Sequence, residues 1–282
     1  WTSFFLPHLG SLADKLEPIL IGHLERACLL LQACDRLNAY EDWLSFRRPA
    51  IEAVSSPASV PPPGTAHDLL IDAVRDLLDW LLRHDPEHGR HLIDRWMGSR
   101  LNIFRRLAVH GLTEDAGRSP AAKLECLLAH EGLYAPELRH EVFFLLRAAY
   151  PAAPEEARKS LLDQACRGPR ERQAEALSEA ARRYRCYNLL YWLHEAAPAC
   201  TLAAAAFAEA QQASPAFRPS AHPDLAAWIS SSGERRRGPL TVEKLISSDL
   251  PALLPWMLGY SREELLKMTP GEIIEEVKRA NL

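Results

Sequence analysis

The densest group of residues that could do chemistry is a cluster of imidazoles and carboxylates between positions 84 and 94. Its members are His84, Asp85, Glu87, His88, His91 and Asp94. A zinc or nickel site needs imidazoles that converge from fixed positions, and His88 and His91 would share one helix face. Asp85-Pro86 is also a typical helix start, with Asp as the cap and Pro at the first helical position. We therefore interpret the cluster as a surface turn and predict no metal site and no cofactor.

Two basic runs could bind anions or a partner. One lies at residues 182–185 in a predicted helix, and the other at 235–237 in a segment rich in Ser and Gly. Arginines hold phosphates and neighbouring aromatic rings stack bases, so either run could contact nucleic acid. The alternatives are a solvated helix face with local glutamate pairing and a solvated loop. Loops carry binding function more often than helix faces, which favours the second run. The predicted partner-binding residues are Arg182, Arg185, Trp228, Arg235, Arg236 and Arg237.

The sequence contains no catalytic motif. It lacks Gly-x-Ser-x-Gly, the Gly-x-x-x-x-Gly-Lys-Ser/Thr phosphate loop, Gly-x-Gly-x-x-Gly and His-Glu-x-x-His. Acid pairs such as Glu155-Glu156 fall at predicted helix starts, where they complement the helix dipole. We predict no catalytic residue and a role other than catalysis.

Composition places the chain among ordinary globular proteins. Its 282 residues are 48% hydrophobic, and the net charge of −4 gives no general attraction to nucleic acid or anionic membrane. No apolar run is long enough to span a bilayer. The six cysteines are scattered without a Cys-x-x-Cys pair, which indicates reduced structural thiols in a cytoplasmic protein. The start at Trp1 resembles neither an initiator Met nor a signal peptide, so we expect a piece of a longer protein.

Helical periodicity extends through most of the chain, beginning with apolar residues three and four apart between Leu12 and Leu31. Further helices are predicted at 69–84, 87–97, 100–109, 120–130, 136–149, 154–166, 170–194 and 198–212, with four short ones after 241. We divide the chain into an N-terminal helical segment at 1–53, a Pro-rich linker at 54–66, a helical repeat array at 67–214, and a loop-rich segment with C-terminal helices at 215–282. The predicted fold class is all-α, an irregular α-solenoid or TPR-like helical repeat array with degenerate repeats.

Five segments carry a resemblance to a known family. In chain order they are Phe46–Glu52, Leu69–Asp76, Phe104–Gly111, Tyr187–Leu193 and Pro215–Asp224. Together they resemble the C-terminal helical region of bacterial antiviral STAND NTPases of the AVAST type, over roughly Ser45 to Leu282. That family joins an effector and a central ATPase to a helical-repeat sensor that binds a phage protein, such as a terminase subunit or portal.

The resemblance implies that this chain is the sensor part of such a protein. Its partner would be a phage structural or packaging protein, with no membrane and no nucleic acid, and the parent protein would oligomerise on activation. Ser220-Ala221 replace a charged pair that the family pattern has before His222-Pro-Asp224, so no binding residue is carried over. Two alternatives remain open: a helical scaffold or oligomerisation domain, and a nucleic-acid-binding helical domain that uses the arginine runs.

Overall fold

The computed structural model describes residues 1–33, 50–52, 66–169, 178–220, 223–224 and 272. Within these residues every regular element is a helix, so the predicted all-α class is confirmed. The nine α-helices are α1 (Leu9–Ala33), α2 (Ala66–His84), α3 (Pro86–Met97), α4 (Asn102–Glu114), α5 (Pro120–Ala129), α6 (Arg139–Ala149), α7 (Glu155–Arg167), α8 (Glu179–Ala196) and α9 (Thr201–Ala213). Three short 3-10 helices lie at Leu6–His8, Gly132–Tyr134 and Pro136–Leu138.

Two helix starts agree with their sequence signals. The Asp85 side chain accepts the backbone N–H of His88 at 3.2 Å, and Pro86 is the first residue of α3. The Ser119 hydroxyl accepts the N–H of Ala122 at 3.2 Å before Pro120 begins α5. In both cases a short polar side chain satisfies a backbone donor that has no partner within the helix.

Two predicted helices begin later than expected. The predicted helix at 136–149 is a 3-10 turn at Pro136–Leu138 followed by α6, because Leu138 leaves helical geometry at φ −101° and ψ 1°. The predicted helix at 170–194 is not continuous, since Ser178 is extended and its hydroxyl caps α8 by accepting the N–H of Ala181 at 3.2 Å. A serine that bonds to nearby backbone competes with helix continuation, which explains the break.

One hydrophobic core extends from Leu9 on α1 to Ala203 on α9. Helices that follow one another pack together, as α1 does on α2, α3 on α4 and α8 on α9, and α6 bridges α4 and α8. Tyr187, Leu189, Leu190 and Leu193 are buried on α8, and Trp192 is partly buried. This packing fixes α6 and α8 side by side, and the candidate site lies between them.

The chain divides into two units, Trp1–Trp228 and Ile229–Leu282. The fold described above belongs to the first unit. The predicted Pro-rich linker, apart from Ala66, and the predicted C-terminal helices, apart from Glu272, lie outside the described residues. Among the described helices, none has the length and apolar character required to cross a membrane.

Candidate functional site

The predicted contact residues Arg182 and Arg185 both lie on α8, but they line different cavities. Arg182 lines a cavity of about 580 Å³ together with the end of α7 and with α9. Arg185 lines a second cavity of about 400 Å³, shared with the start of α6 and the segment that follows α9. The basic run therefore does not form one continuous cationic face.

The second cavity, called here the Arg139–Arg185 cavity, is lined by both polar and apolar residues. Leu133, Phe143, Leu189 and Pro223 contribute apolar surface to its lining. Arg139, the first residue of α6, lines this cavity, although no sequence signal connects that position with α8. A cavity with apolar walls and a few polar groups is typical of small-ligand sites.

The two guanidinium groups of this cavity form no hydrogen bond or salt bridge with a described residue, although both side chains are partly buried. Burial lowers the pKa of Arg139, and the positive charge of Arg185 lowers it further, while Asp224 acts in the opposite direction. Burial also lowers the pKa of Arg185. Removing a charge from water without pairing it is costly, so this cavity favours an added negative charge.

The segment after α9 forms one wall of the Arg139–Arg185 cavity. Hydrogen bonds and ring contacts hold this segment against α8. Asn188 Oδ1 accepts the backbone N–H of Ser220 at 2.8 Å, and its Nδ2 donates to the carbonyl of Tyr184 at 2.9 Å. The Tyr184 hydroxyl donates to the carbonyl of Arg218 at 3.1 Å, and its ring meets the edge of Phe217 at 5.2 Å. The two segments 187–193 and 215–224, which the sequence singles out, are therefore in contact.

His140, the second residue of α6, joins two distant parts of the chain. Its Nε2 lies 2.7 Å from Glu52 Oε1, and its Nδ1 lies 3.0 Å from Asp224 Oδ2. Burial alone would lower the pKa of His140, but hydrogen bonds to Asp224 and Glu52, with the negative charge of Glu141, raise it to about 9. Burial would raise the pKa of Glu52, but the hydrogen bond to His140 gives a net lowering. An imidazolium that donates from both nitrogens satisfies both carboxylates.

Glu141, the third residue of α6, belongs to a buried ion pair. Arg106 donates from Nε to Glu141 Oε2 at 3.0 Å and from Nη2 to Oε1 at 2.7 Å, with the two side chains only 3% and 1% exposed. The backbone N–H of Ile51 donates to Glu141 Oε1 at 3.2 Å, and Arg75 donates to the carbonyl of Ile51 at 3.1 Å. Residues 50–52 are thus fixed from both sides, which in turn places Glu52 beside His140.

The Arg182 cavity also contains unpartnered polar atoms. Arg182 Nε and the Tyr187 hydroxyl are enclosed, and neither has a hydrogen-bond partner among the described residues. Arg183, which also lines this cavity, forms an ion pair with Glu179 one turn earlier on α8, as the local pairing of the run predicts. Arg182 is thus the arginine on this side of α8 that is available for another contact.

The remaining candidate residues are not gathered into a site. His84 stacks on Trp80 with ring centroids 4.5 Å apart, and His88 Nε2 lies 2.7 Å from Glu17 Oε2 on α1. Within the described residues, no three His, Cys, Asp or Glu side chains are grouped so as to hold a metal ion. The five cysteines in the same part of the chain are free thiols. Trp228 and residues 235–237 lie outside the described residues.

Sequence reasoning missed Arg139 and His140. The available signal was the run Arg139-His140-Glu141, in which three charged or titratable residues come directly before the apolar residues 142–146 of the helix. Such a run at a buried helix start predicts partners elsewhere in the chain, because buried charges are seldom left unpaired. The identity of those partners, 84 and 88 residues away for His140, was not visible in the sequence.

Comparison of the chain with protein-family models, with curated proteins and with solved structures gave no match. The described residues form an all-α protein with two cavities beside α8.

Proposed function

We propose that this chain is a protein-sensing helical domain, the sensor region of a bacterial antiviral STAND NTPase of the AVAST type. Its ligand is a phage structural or packaging protein, and binding activates a longer cytoplasmic protein that oligomerises. In this proposal the chain itself catalyses no reaction and needs no cofactor. The resemblance of its five sequence segments to that family is the starting point.

The observation that carries the proposal is the packing of helices on their neighbours in sequence. The contacts of α1 with α2, α2 with α3, α3 with α4, and α8 with α9 support an irregular α-solenoid or TPR-like array. In such arrays each unit contacts chiefly its neighbours, and the stack presents an extended surface suited to a folded protein. Recognition then depends on a few anchor residues, among which Arg and Tyr are enriched.

Arg182 and Tyr184 are the described residues best placed to act as anchors. Arg182 is partly exposed, and Tyr184 is 38% exposed on the same helix. Arg185 belongs to the predicted set but faces the Arg139–Arg185 cavity. Trp228 and residues 235–237 remain predicted contacts.

The test is direct binding of the purified chain to a phage large terminase subunit and to a portal protein, by biolayer interferometry at moderate and high salt. We expect binding of one of them that persists at high salt. Arg182→Glu should weaken it about tenfold, equivalent to about 1.4 kcal/mol. Arg95→Glu, at an exposed position on α3, is the matched control and should bind as the parent does. Binding of neither protein, or retention of nucleic acid alone with steep salt dependence, would overturn the proposal.

A scaffold or oligomerisation role is the second candidate, because apolar side chains are exposed at the N-terminal end. Phe4 is 77% exposed, and Ile19 and Leu30 on α1 are 52% and 61% exposed. Contiguous exposed apolar residues mark association surfaces. If this role is correct, light scattering will show a mass that rises with concentration, and Leu30→Glu will return the chain to a monomer.

The nucleic-acid alternative gains no support from α8. A phosphate backbone is tracked by cations that share one groove. Arg182 and Arg185 line separate cavities, and Arg183 is paired with Glu179. The described basic run therefore offers isolated cations rather than a continuous track.

A further inference from the structure

We propose that the Arg139–Arg185 cavity binds a small organic anion, a phosphate or carboxylate group attached to an aromatic or aliphatic body. The site goes beyond the proposed protein-sensing function, since it is a pocket of small-molecule size at about 400 Å³. Arg182, on the other cavity beside α8, remains available to a protein ligand.

The charge balance around the cavity argues for an anion. Arg139, Arg185 and His140 contribute three positive charges, since the pKa of His140 is about 9. Glu52 and Asp224 contribute two negative charges, and both are hydrogen-bonded to His140. These groups together therefore carry one excess positive charge. The two arginines, which have no described hydrogen-bond or ion-pair partner, are the cations left to attract an anion. Two guanidinium groups with free N–H donors match the geometry of an oxyanion.

The neighbouring polar groups are already occupied and so do not compensate the arginines. Both ends of the Asn188 amide are used, with Ser220 and with the Tyr184 carbonyl. The Tyr184 hydroxyl donates to the Arg218 carbonyl. These contacts hold the segment after α9 against α8 and leave the arginines as the groups that recognise charge.

The rest of the lining selects the body of the ligand. Phe143 and Leu189 lie one turn after Arg139 and Arg185 on their helices and contribute apolar surface beside the arginines. Pro223 adds further apolar lining. An inorganic ion would leave this surface in contact with water. A ligand with a ring or short chain attached to its oxyanion would cover it and gain the hydrophobic contribution.

The experiment is isothermal titration of the full chain with phenyl phosphate and with benzoate, and with benzyl alcohol as the uncharged counterpart. We expect saturable binding of at least one of the two anions and none of benzyl alcohol. Arg139→Gln and Arg185→Gln should each weaken that binding at least tenfold. Arg185→Lys should have an intermediate effect, because it keeps the charge but loses the planar fork. Arg95→Gln should leave binding unchanged.

Three results would overturn the inference. The first is that neither anion binds saturably at about 10 mM, where a site with a Kd near 1 mM would be nearly filled. The second is that Arg185→Gln binds the anion as tightly as the parent does. The third is that benzyl alcohol binds as tightly as the anions do. Thermal unfolding of the free variants guards against misfolding. Since Arg185 has no described partner, Arg185→Gln should unfold at or above the temperature of the parent.

Discussion

The protonation of His140 should make the stability of the fold depend on pH between about 6.5 and 9. Its side chain is 10% exposed and lies between Glu52 and Asp224, and its pKa rises from 6.5 to about 9. A group whose pKa is higher in the folded than in the unfolded state stabilises the folded state fully when the pH is below its unfolded-state pKa. The contribution is lost as pH rises through the folded pKa. A difference of about 2.5 pH units at 1.36 kcal/mol each corresponds to about 3 kcal/mol.

Urea unfolding at pH 6 and pH 9 measures this contribution when the parent is compared with His140→Gln. Gln keeps hydrogen-bonding capacity but cannot carry a charge. The variant should therefore be less stable than the parent at pH 6, and it should lose less stability than the parent between pH 6 and pH 9. Other groups that titrate in this range are common to both proteins and cancel in the comparison. If the two proteins lose the same free energy of unfolding between the two pH values, the proposed charge on His140 is wrong.

Two further predictions concern the core. Arg106→Met should cost about 3–5 kcal/mol in urea unfolding, because it leaves the carboxylate of Glu141 buried without that cation. Adding Glu141→Leu to this variant should recover part of the lost free energy of unfolding. If the double variant instead loses as much as the two single variants combined, the pairing is refuted. Gly111→Ala should cost about 1–3 kcal/mol, because its Cβ would lie 2.8 Å from a methyl carbon of Leu78. Gly22→Ala on α1, with no atom within 4 Å of the new Cβ, should be neutral or stabilising by up to about 1 kcal/mol and provides the control.

The helices were predictable because their signals are local. Asp85-Pro86 and Ser119-Pro120 contain both the cap and the first helical residue, so the sequence places α3 and α5 closely. Ser178 was the exception, since its hydroxyl could have faced solvent within a continuous helix. The cavity was not predictable, because it requires Arg139 and Arg185, on two helices, to face the same space. Periodicity identifies the buried face of each helix and does not identify the neighbour that this face meets.

The first turn of α6 connects the core, the distant segments and the cavity. Successive residues on a helix point in directions about 100° apart, so Arg139, His140 and Glu141 face three different surroundings. Arg139 lines the cavity, His140 bonds to Glu52 and Asp224, and Glu141 pairs with Arg106. Asp224 also acts on the charge of Arg139. In the proposed complex, the charge state of His140 and the occupancy of the cavity are linked through this one carboxylate, so an anion bound beside Arg139 would act electrostatically on the segments that His140 joins.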